Sequence, residues 1–410
     1  MKKVLEDIKV LDLSRILAGP YASMILGDFG ARIIKVERPE KGDDTRQWGP
    51  PFTENGESAY FFCANRNKES ITLNLKSEEG RQILRKLASQ ADVLVENFKV
   101  GTMKRLGLDY ESLRQENPGL IYCSITGYGQ TGPYRDRPGY DIMIEAQGGI
   151  MSITGPPDHP SDHPSDQISG SGEPFKVGVA IVDITSGLYA VISILAALRH
   201  REETGQGQSI DIALFDTQLS WLANVASSYL VSGQKPPRVG NAHASIVPYQ
   251  TMPTSDGWLM LAVGNDRQYA ALCQVIEHPE WATDPRFATN PARVEHREHL
   301  VPLLEARFRT KSATQWSALL LEAGVPCSPV NDIPTALADP QAIARNMVQQ
   351  VEHPQTGTIS LLGPAPKLSL TPPQIAGPPP VLGEHTDVVL NELLGYTETE
   401  IAQLRAAHVL

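Results

Sequence analysis

One aspartate has the type and setting to do covalent chemistry. Asp183 sits in GVAIVDITSGLYA, at the head of a long apolar run rich in Leu, Ile and Ala. At a helix start an Asp is a common N-cap, accepting a first-turn N–H and favouring the dipole. The same donors keep the group ionised and aimed. An ionised carboxylate is a nucleophile toward an activated acyl group, and neighbouring helix-end N–H groups serve an oxyanion. Basic side chains cluster near strand ends of the first quarter: Lys35, Arg38, Arg66, Lys68, Lys99, Lys104 and Arg105. Each alone reads as a surface residue; several together suit a phosphorylated ligand, with Arg gripping phosphate bidentately. Glycines crowd 127–149 and recur at Gly178 and Gly187, which permits close backbone approach. The chain has no GxxxxGK[ST], HExxH or GxSxG motif. The glycines of LGDFGARIIKVE precede a strand, the wrong context for a dinucleotide fingerprint.

The elements that must position these residues alternate between strand and helix. Short apolar strands are expected at 8–13, 31–36, 70–75, 92–96 and 121–125, with helices at 17–26 and 78–90 between them. That alternation predicts a parallel, doubly wound α/β sheet. The longest helix is expected at 183–203, with Gly205 as its C-cap. A strand at 209–213 and a helix from Asp216 to about 231 follow. A new αβ region begins at 257, with helices near 267–277, 297–309 and 312–322. A Pro-rich strap, TPPQIAGPPPV, and a final helix at 386–394 close the chain.

Length and composition set the frame. The 410 residues suggest two to three domains. A 41% apolar, 20% charged composition is that of a folded chain and excludes disorder as the main state. No uninterrupted apolar run reaches membrane length, and MKKVLEDIKVLDL reads as the lead-in to a strand, so a cytoplasmic protein without a membrane span is expected. Four scattered cysteines fit reduced thiols. The net charge of −11 disfavours nucleic acid, yet residues 1–105 carry +3. The segment 155–177 repeats DHPS and reads as a solvated loop; His159 and His163 are not read as metal ligands, because the prolines oppose a helix.

The motifs LDLSRILAGPYASMILGDFGARIIKVERP, GDDTRQWGPPF, NRNKESITLNL, VENF, GLDYESL, CSITGYGQTGP, GVAIVDITSGLYA, SIVPYQ, GVPCSPVND and LLGEHT occur in that order. Together they resemble the class III CoA-transferase family, of the formyl-CoA transferase type. GDDTRQWGPPF, CSITGYGQTGP and AHASIVPYQ resemble its dicarboxylate (succinyl-CoA:glutarate) branch.

The resemblance implies a nucleophile at Asp183, the Asp of a D-x-x-[TS]-G segment. It implies a mixed anhydride with the donor acyl group, then an aspartyl-CoA thioester, then attack by the acceptor carboxylate. No cofactor is bound permanently; the CoA thioester is the substrate. CoA contacts are implied at Arg38, Asn97, Phe98 and Arg105, with Ile16 and Leu17 facing the thioester and Leu73 and Leu75 as apolar wall. Relatives use a lysine just before the Tyr140–Asp141 pair; Pro138 stands there, so Arg137 is the substitute candidate. Arg15, Arg46, Tyr140, Asp141 and His243 are the candidates around the acceptor; a loop ion pair with Asp43 or Asp44 is the other reading of Arg46. Racemases that resemble this chain carry a His where Tyr140 stands, and a neutral Tyr is a poor base at pH 7; this residue favours transfer over racemisation. A non-catalytic CoA-binding protein is a further alternative, against which an intact Asp183 speaks.

The implied architecture is a Rossmann-like large domain with a smaller α+β domain, in an interlocked homodimer. The expected boundaries are 1–205 for the large CoA-binding domain, 206–227 for a linker helix, 228–330 for the small domain, and 331–410 for a return segment completing the large one.

Overall fold

The computed structural model describes residues 3–157 and 173–410; most of the expected loop at 155–177, with His159 and His163, lies outside the described residues. Six strands form one all-parallel sheet: β1 Lys9–Asp12, β2 Arg32–Glu37, β3 Lys68–Thr72, β4 Val93–Glu96, β5 Ile121–Thr126 and β6 Ser209–Ala213. Their order is β3-β2-β1-β4-β5-β6, which puts a topological switch between β1 and β4. The α/β expectation therefore holds at the level of the sheet.

Helices cover both faces, which is why the strands read as near-continuous apolar runs. On one face α1 (Ala18–Asp28) and the later long helix pack with Val10, Ile33, Val93 and Val95. On the other, α2 (Glu78–Ala88) and α3 (Thr102–Leu106) pack with Leu11, Ile34 and Leu94. The start of α2 follows its sequence signal. The Ser77 Oγ accepts from the Gly80 N–H at 3.0 Å, acids fill the first turn, and Arg85 and Lys86 fill the last.

Further along are α4 (Asp141–Gln147) and α5 (Ile181–Thr204). By length and composition α5 could cross a membrane, although no uninterrupted apolar run was seen in the sequence. One of its faces is instead buried through Val182, Ala190, Val191 and Ile194 in the sheet core. A helix of such apolar character is also what a core position requires.

The chain forms two compact units. The first comprises 1–150, 177–227 and 340–410; the second comprises 151–176 and 228–339. The second unit has a three-stranded antiparallel sheet of Tyr249–Pro253, Trp258–Ala262 and Cys327–Pro329. Its own core is built around Trp316, Tyr269, Phe287 and Phe308.

Several sequence expectations are corrected at the level of elements. Residues 206–227 are not one linker helix. They contain β6, the helix Leu214–Ser220, and the start of a second helix, Ala223–Ser232, broken where Ala223 adopts a φ of 44°. The strand expected at 70–75 begins at Lys68, because pairing with β2 starts there. The helix at 386–394, here α6 (Thr386–Leu394), is not the last. A capping box between Thr397 and Glu400 starts α7 (Glu398–Ala406).

Gly187 lets α5 approach the start of α1. A Cβ placed there would lie 2.7 Å from the Ala18 carbonyl oxygen. Gly187→Ala would gain about 1 kcal/mol of helix propensity but force the two backbones apart, at a cost of about 1–3 kcal/mol. The variant is expected to unfold at a lower temperature than the native chain; a raised midpoint in a thermal-unfolding scan would disprove the contact.

Candidate active site

The site is built on two buried charge pairs beneath the ends of the strands. The Lys68 ammonium lies 3.0 Å from Asp12, and Lys35 lies 2.9 Å from Asp43, all four side chains without solvent exposure. Asp12 also accepts from the Ser14 N–H and hydroxyl and from the Ser23 hydroxyl. Burial works against its charge, but Lys68 and Lys35 overcome it and hold its carboxyl well below the usual range. Burial likewise pulls Lys68 down to about 8, against the attraction of Asp12.

These pairs fix the loop that follows β1. Lys35 donates to the Ser14 carbonyl oxygen at 3.0 Å. Asp43 accepts the Ile16 N–H at 3.2 Å. The Asn97 amide takes the Arg15 N–H at 2.9 Å and donates to the Arg15 carbonyl oxygen at 2.7 Å. Ile16 is thereby held at a φ of 73°, a strained conformation for a β-branched residue. Leu17 then leads into α1, with no side chain capping that helix. Arg15, Ile16 and Leu17 are thus one rigid turn at the switch between β1 and β4.

Asp183 does not cap its helix. Ala180 is the N-cap, and Asp183 is the third residue of the first turn. The exposed N–H groups are taken by Asp141, whose carboxylate oxygen accepts from Val182 at 2.8 Å and Asp183 at 3.2 Å. Asp141 is carried there by a backbone crossing: a Cβ on Gly139 would lie 2.2 Å from the Gly127 Cα. This accounts for Gly127 and Gly139. The Asp183 carboxylate itself accepts no hydrogen bond from a described residue. Burial and then the negative Asp141 push it up to about 7. Tyr60, which the sequence did not single out, is coupled to both: burial, then Cys63, then Asp183 and Asp141 push its phenol up to about 12. Its phenol therefore stays protonated at neutral pH.

A cavity of about 1050 Å³ opens at the carboxyl ends of β1, β2 and β3 in the first unit. Six expected residues line it: Arg15, Arg38, Leu73, Leu75, Phe98 and Arg105. Asp44 bridges two of them, 2.6 Å from Arg15 and 2.5 Å from Arg38. The Arg15 guanidinium lies 5.7 Å from the Phe98 ring centre. Lys76 and Arg105 have no carboxylate partner among the described residues. Lys76 and the end of the chain were missed by sequence reasoning, and Asp44, read as a possible partner of Arg46, pairs with Arg15 and Arg38 instead; Lys76, directly after LNL, carried a local signal.

Other expected residues sit elsewhere. Arg46 pairs with neither Asp43 nor Asp44. Its guanidinium donates to Glu37 at 2.7 and 2.8 Å, donates to the Pro380 carbonyl oxygen, and stacks 3.7 Å above Phe61. It is thus committed to structure rather than open to an acceptor. Arg137 lies exposed over the Tyr134 ring. Tyr140 is exposed at the N-cap of α4. His243 belongs to the second unit, where its Nδ1 accepts the Ser245 N–H at 3.1 Å. No cluster able to hold a metal occurs among the described residues.

A parallel sheet with a cation-lined cavity at its switch point, and on a helix packed against that sheet a partly buried carboxylate, suits acyl or group transfer from an anionic carrier. Residues 5–386 match CoA-transferase family III, and the chain belongs to that family of enzymes. The succinyl-CoA:glutarate CoA-transferase of Homo sapiens is 43% identical over 408 residues, covering 100% of this chain and 90% of that protein. The succinate–glutarate CoA-transferase of Agrobacterium fabrum is 45% identical over 397 residues, covering 96% of each. Among solved structures, a CaiB/BaiF family protein from Brucella suis superposes with a TM-score of 0.85 at 46% identity, covering 96% of this chain and 100% of that one. The enzyme is a class III CoA-transferase.

Burial and the negative Asp141 push the Asp183 carboxyl up to about 7, so a nucleophilic role for Asp183 requires that it lose this proton first. The rate at limiting substrate should rise with pH up to about 7 and then level off. Asp141→Asn keeps an acceptor for the helix N–H groups but removes the negative neighbour, so the midpoint should move to lower pH. An unmoved midpoint would refute this role of Asp141. The raised folded pKa also means that the folded chain holds a proton which the unfolded chain releases between about 4 and 7. Stability is therefore lost as pH rises through that window, and Asp183→Asn should stabilise the protein more at pH 8 than at pH 4.

Proposed function

We propose that this enzyme moves CoA from succinyl-CoA to a dicarboxylate acceptor such as glutarate, with Asp183 as the nucleophile. One observation carries the reading. Among the described residues the carboxylate at the start of α5 accepts no hydrogen bond, while a neighbouring acid takes the helix N–H groups. Such a group is more basic than an ordinary aspartate, and no cation among the described residues pairs with it. The names of the relatives support the choice of donor and acceptor.

The steps follow from conserving thioester energy. An Asp183 oxygen attacks the succinyl carbonyl, and CoA leaves as a thiolate, forming a succinyl-aspartyl anhydride. The thiolate attacks the aspartyl carbonyl, succinate leaves, and an aspartyl-CoA thioester remains. The acceptor carboxylate attacks that thioester, giving a second anhydride and the thiolate again. Attack of the thiolate on the acceptor's acyl carbon releases the new acyl-CoA and restores Asp183. Every bond broken is replaced, so no redox partner is required.

Arg38, Arg105 and Lys76 suit the carrier's phosphates, Phe98 its adenine, and Leu73 and Leu75 its apolar arm. Arg15 is the residue we assign to the distal carboxylate of the acceptor, since a guanidinium grips a carboxylate in two places. Asp183→Ala is expected to reduce transfer from succinyl-CoA to glutarate by at least about 10³-fold while leaving the fold intact. Hydroxylamine should label Asp183 only after incubation with an acyl-CoA. Full turnover by the alanine variant, or turnover with monocarboxylates alone, would refute the respective part of the proposal.

We further propose that two chains interlock, the large domain of one completing its site with the small domain of the other. The outer face of α5 supports this reading: Leu188, Ile192 and Leu195 are exposed on it, Ile192 by 60%. Analytical ultracentrifugation should return twice the chain mass at micromolar concentration; a monomer would refute it.

A further inference from the structure

The last thirteen residues turn back onto the carrier cavity. The Val409 carbonyl oxygen accepts the Asn74 N–H at 2.8 Å, and the His408 carbonyl oxygen accepts from the Asn74 side chain at 3.2 Å. The Val409 side chain is buried in the core beneath. The end of the chain is thus tied to the segment that follows β3, and Arg405 and His408 form part of the cavity wall. Both side chains are exposed. His408 has no side-chain partner among the described residues, and Arg405 pairs only with Asp387, in an exposed pair that holds weakly. This segment lies beyond the family match, which ends at residue 386.

The sheet orients whatever binds here. Asp183 lies on α5, which packs on the same sheet face as α1. The tail packs on the opposite face, with α2 and α6. A thioester carried to Asp183 must therefore enter by the Arg15 turn and trail its nucleotide across the strand ends toward the tail. The extremity of coenzyme A at that end is the ribose 3′-phosphate, a phosphomonoester of up to two charges. An Arg and a His suit such a group, with charge-assisted hydrogen bonds.

We propose that the C-terminal segment is a clasp on the carrier, in which Arg405 and His408 bind the 3′-phosphate of coenzyme A. The proposal rests on the function proposed above and adds the residues that discriminate the carrier from its dephosphorylated form. Arg405 exchanges its exposed carboxylate partner for the phosphate, so no buried charge has to be uncovered.

The test is isothermal titration calorimetry of the native chain and the Arg405→Ala/His408→Ala double variant, with coenzyme A and with 3′-dephospho-coenzyme A. The native chain should bind coenzyme A at least about tenfold more tightly than the dephospho form. The double variant should lose that preference by weakening only coenzyme A, and Arg405→Lys should retain part of it. A matching thermal midpoint shows that the tail of the variant is still seated. A preference that survives in the double variant overturns the clasp and leaves the carrier cavity standing. A native chain that binds neither compound overturns both.

Discussion

The site depends on burying charge where the strands end. Asp12, Lys35, Asp43 and Lys68 have no contact with water, so each needs a partner of opposite sign at short range. Breaking such a pair strands a charge, at a cost of about 3–5 kcal/mol. The pairs also leave little freedom to the chain between them. Ser14 is held by Asp12 and Lys35, and Ile16 is held by Asp43 in a left-handed conformation. That conformation costs about 1–3 kcal/mol and persists only when its surroundings dictate it. The turn so fixed contributes Ser14 and Arg15 to the wall of the cavity.

The sheet supplies the second constraint. Because helices cover both faces, a ligand at the strand ends can touch residues from each without entering the core. Asp183 belongs to one face and the cations nearest the tail to the other. A long carrier with a reactive thioester at one end and phosphates at the other matches that separation. Gly187 and the Gly127–Gly139 crossing remove the side chains that would otherwise keep these backbones apart.

Capping a helix and standing as a destabilised carboxylate are two roles, and the fold divides them between two aspartates. A carboxylate that takes helix N–H groups satisfies the open end of the helix. Asp141 accepts that role, and Asp183, within the first turn of the helix, is left destabilised by burial and by its neighbour. Either residue alone at the helix start would have to do one job or compromise both.

The sequence by itself determined the α/β sheet, because apolar strands spaced by amphipathic helices have few other ways to bury their faces. It also singled out Asp183 and the cavity residues Arg38, Phe98 and Arg105, whose order of motifs identifies the family. It offered capping as one of two compatible roles for Asp183, since an acid near a helix start is local information and the residue that takes the N–H groups, Asp141, lies about forty residues earlier. It offered Arg46 to the acceptor, since nothing local reveals that Glu37 and Pro380 take its donors. It did not see the tail beside Asn74, a contact spanning more than three hundred residues. Local spacing encodes which element forms. Which charges find each other is decided only when the sheet closes, because those partners are brought together by packing and not by neighbourhood in the chain.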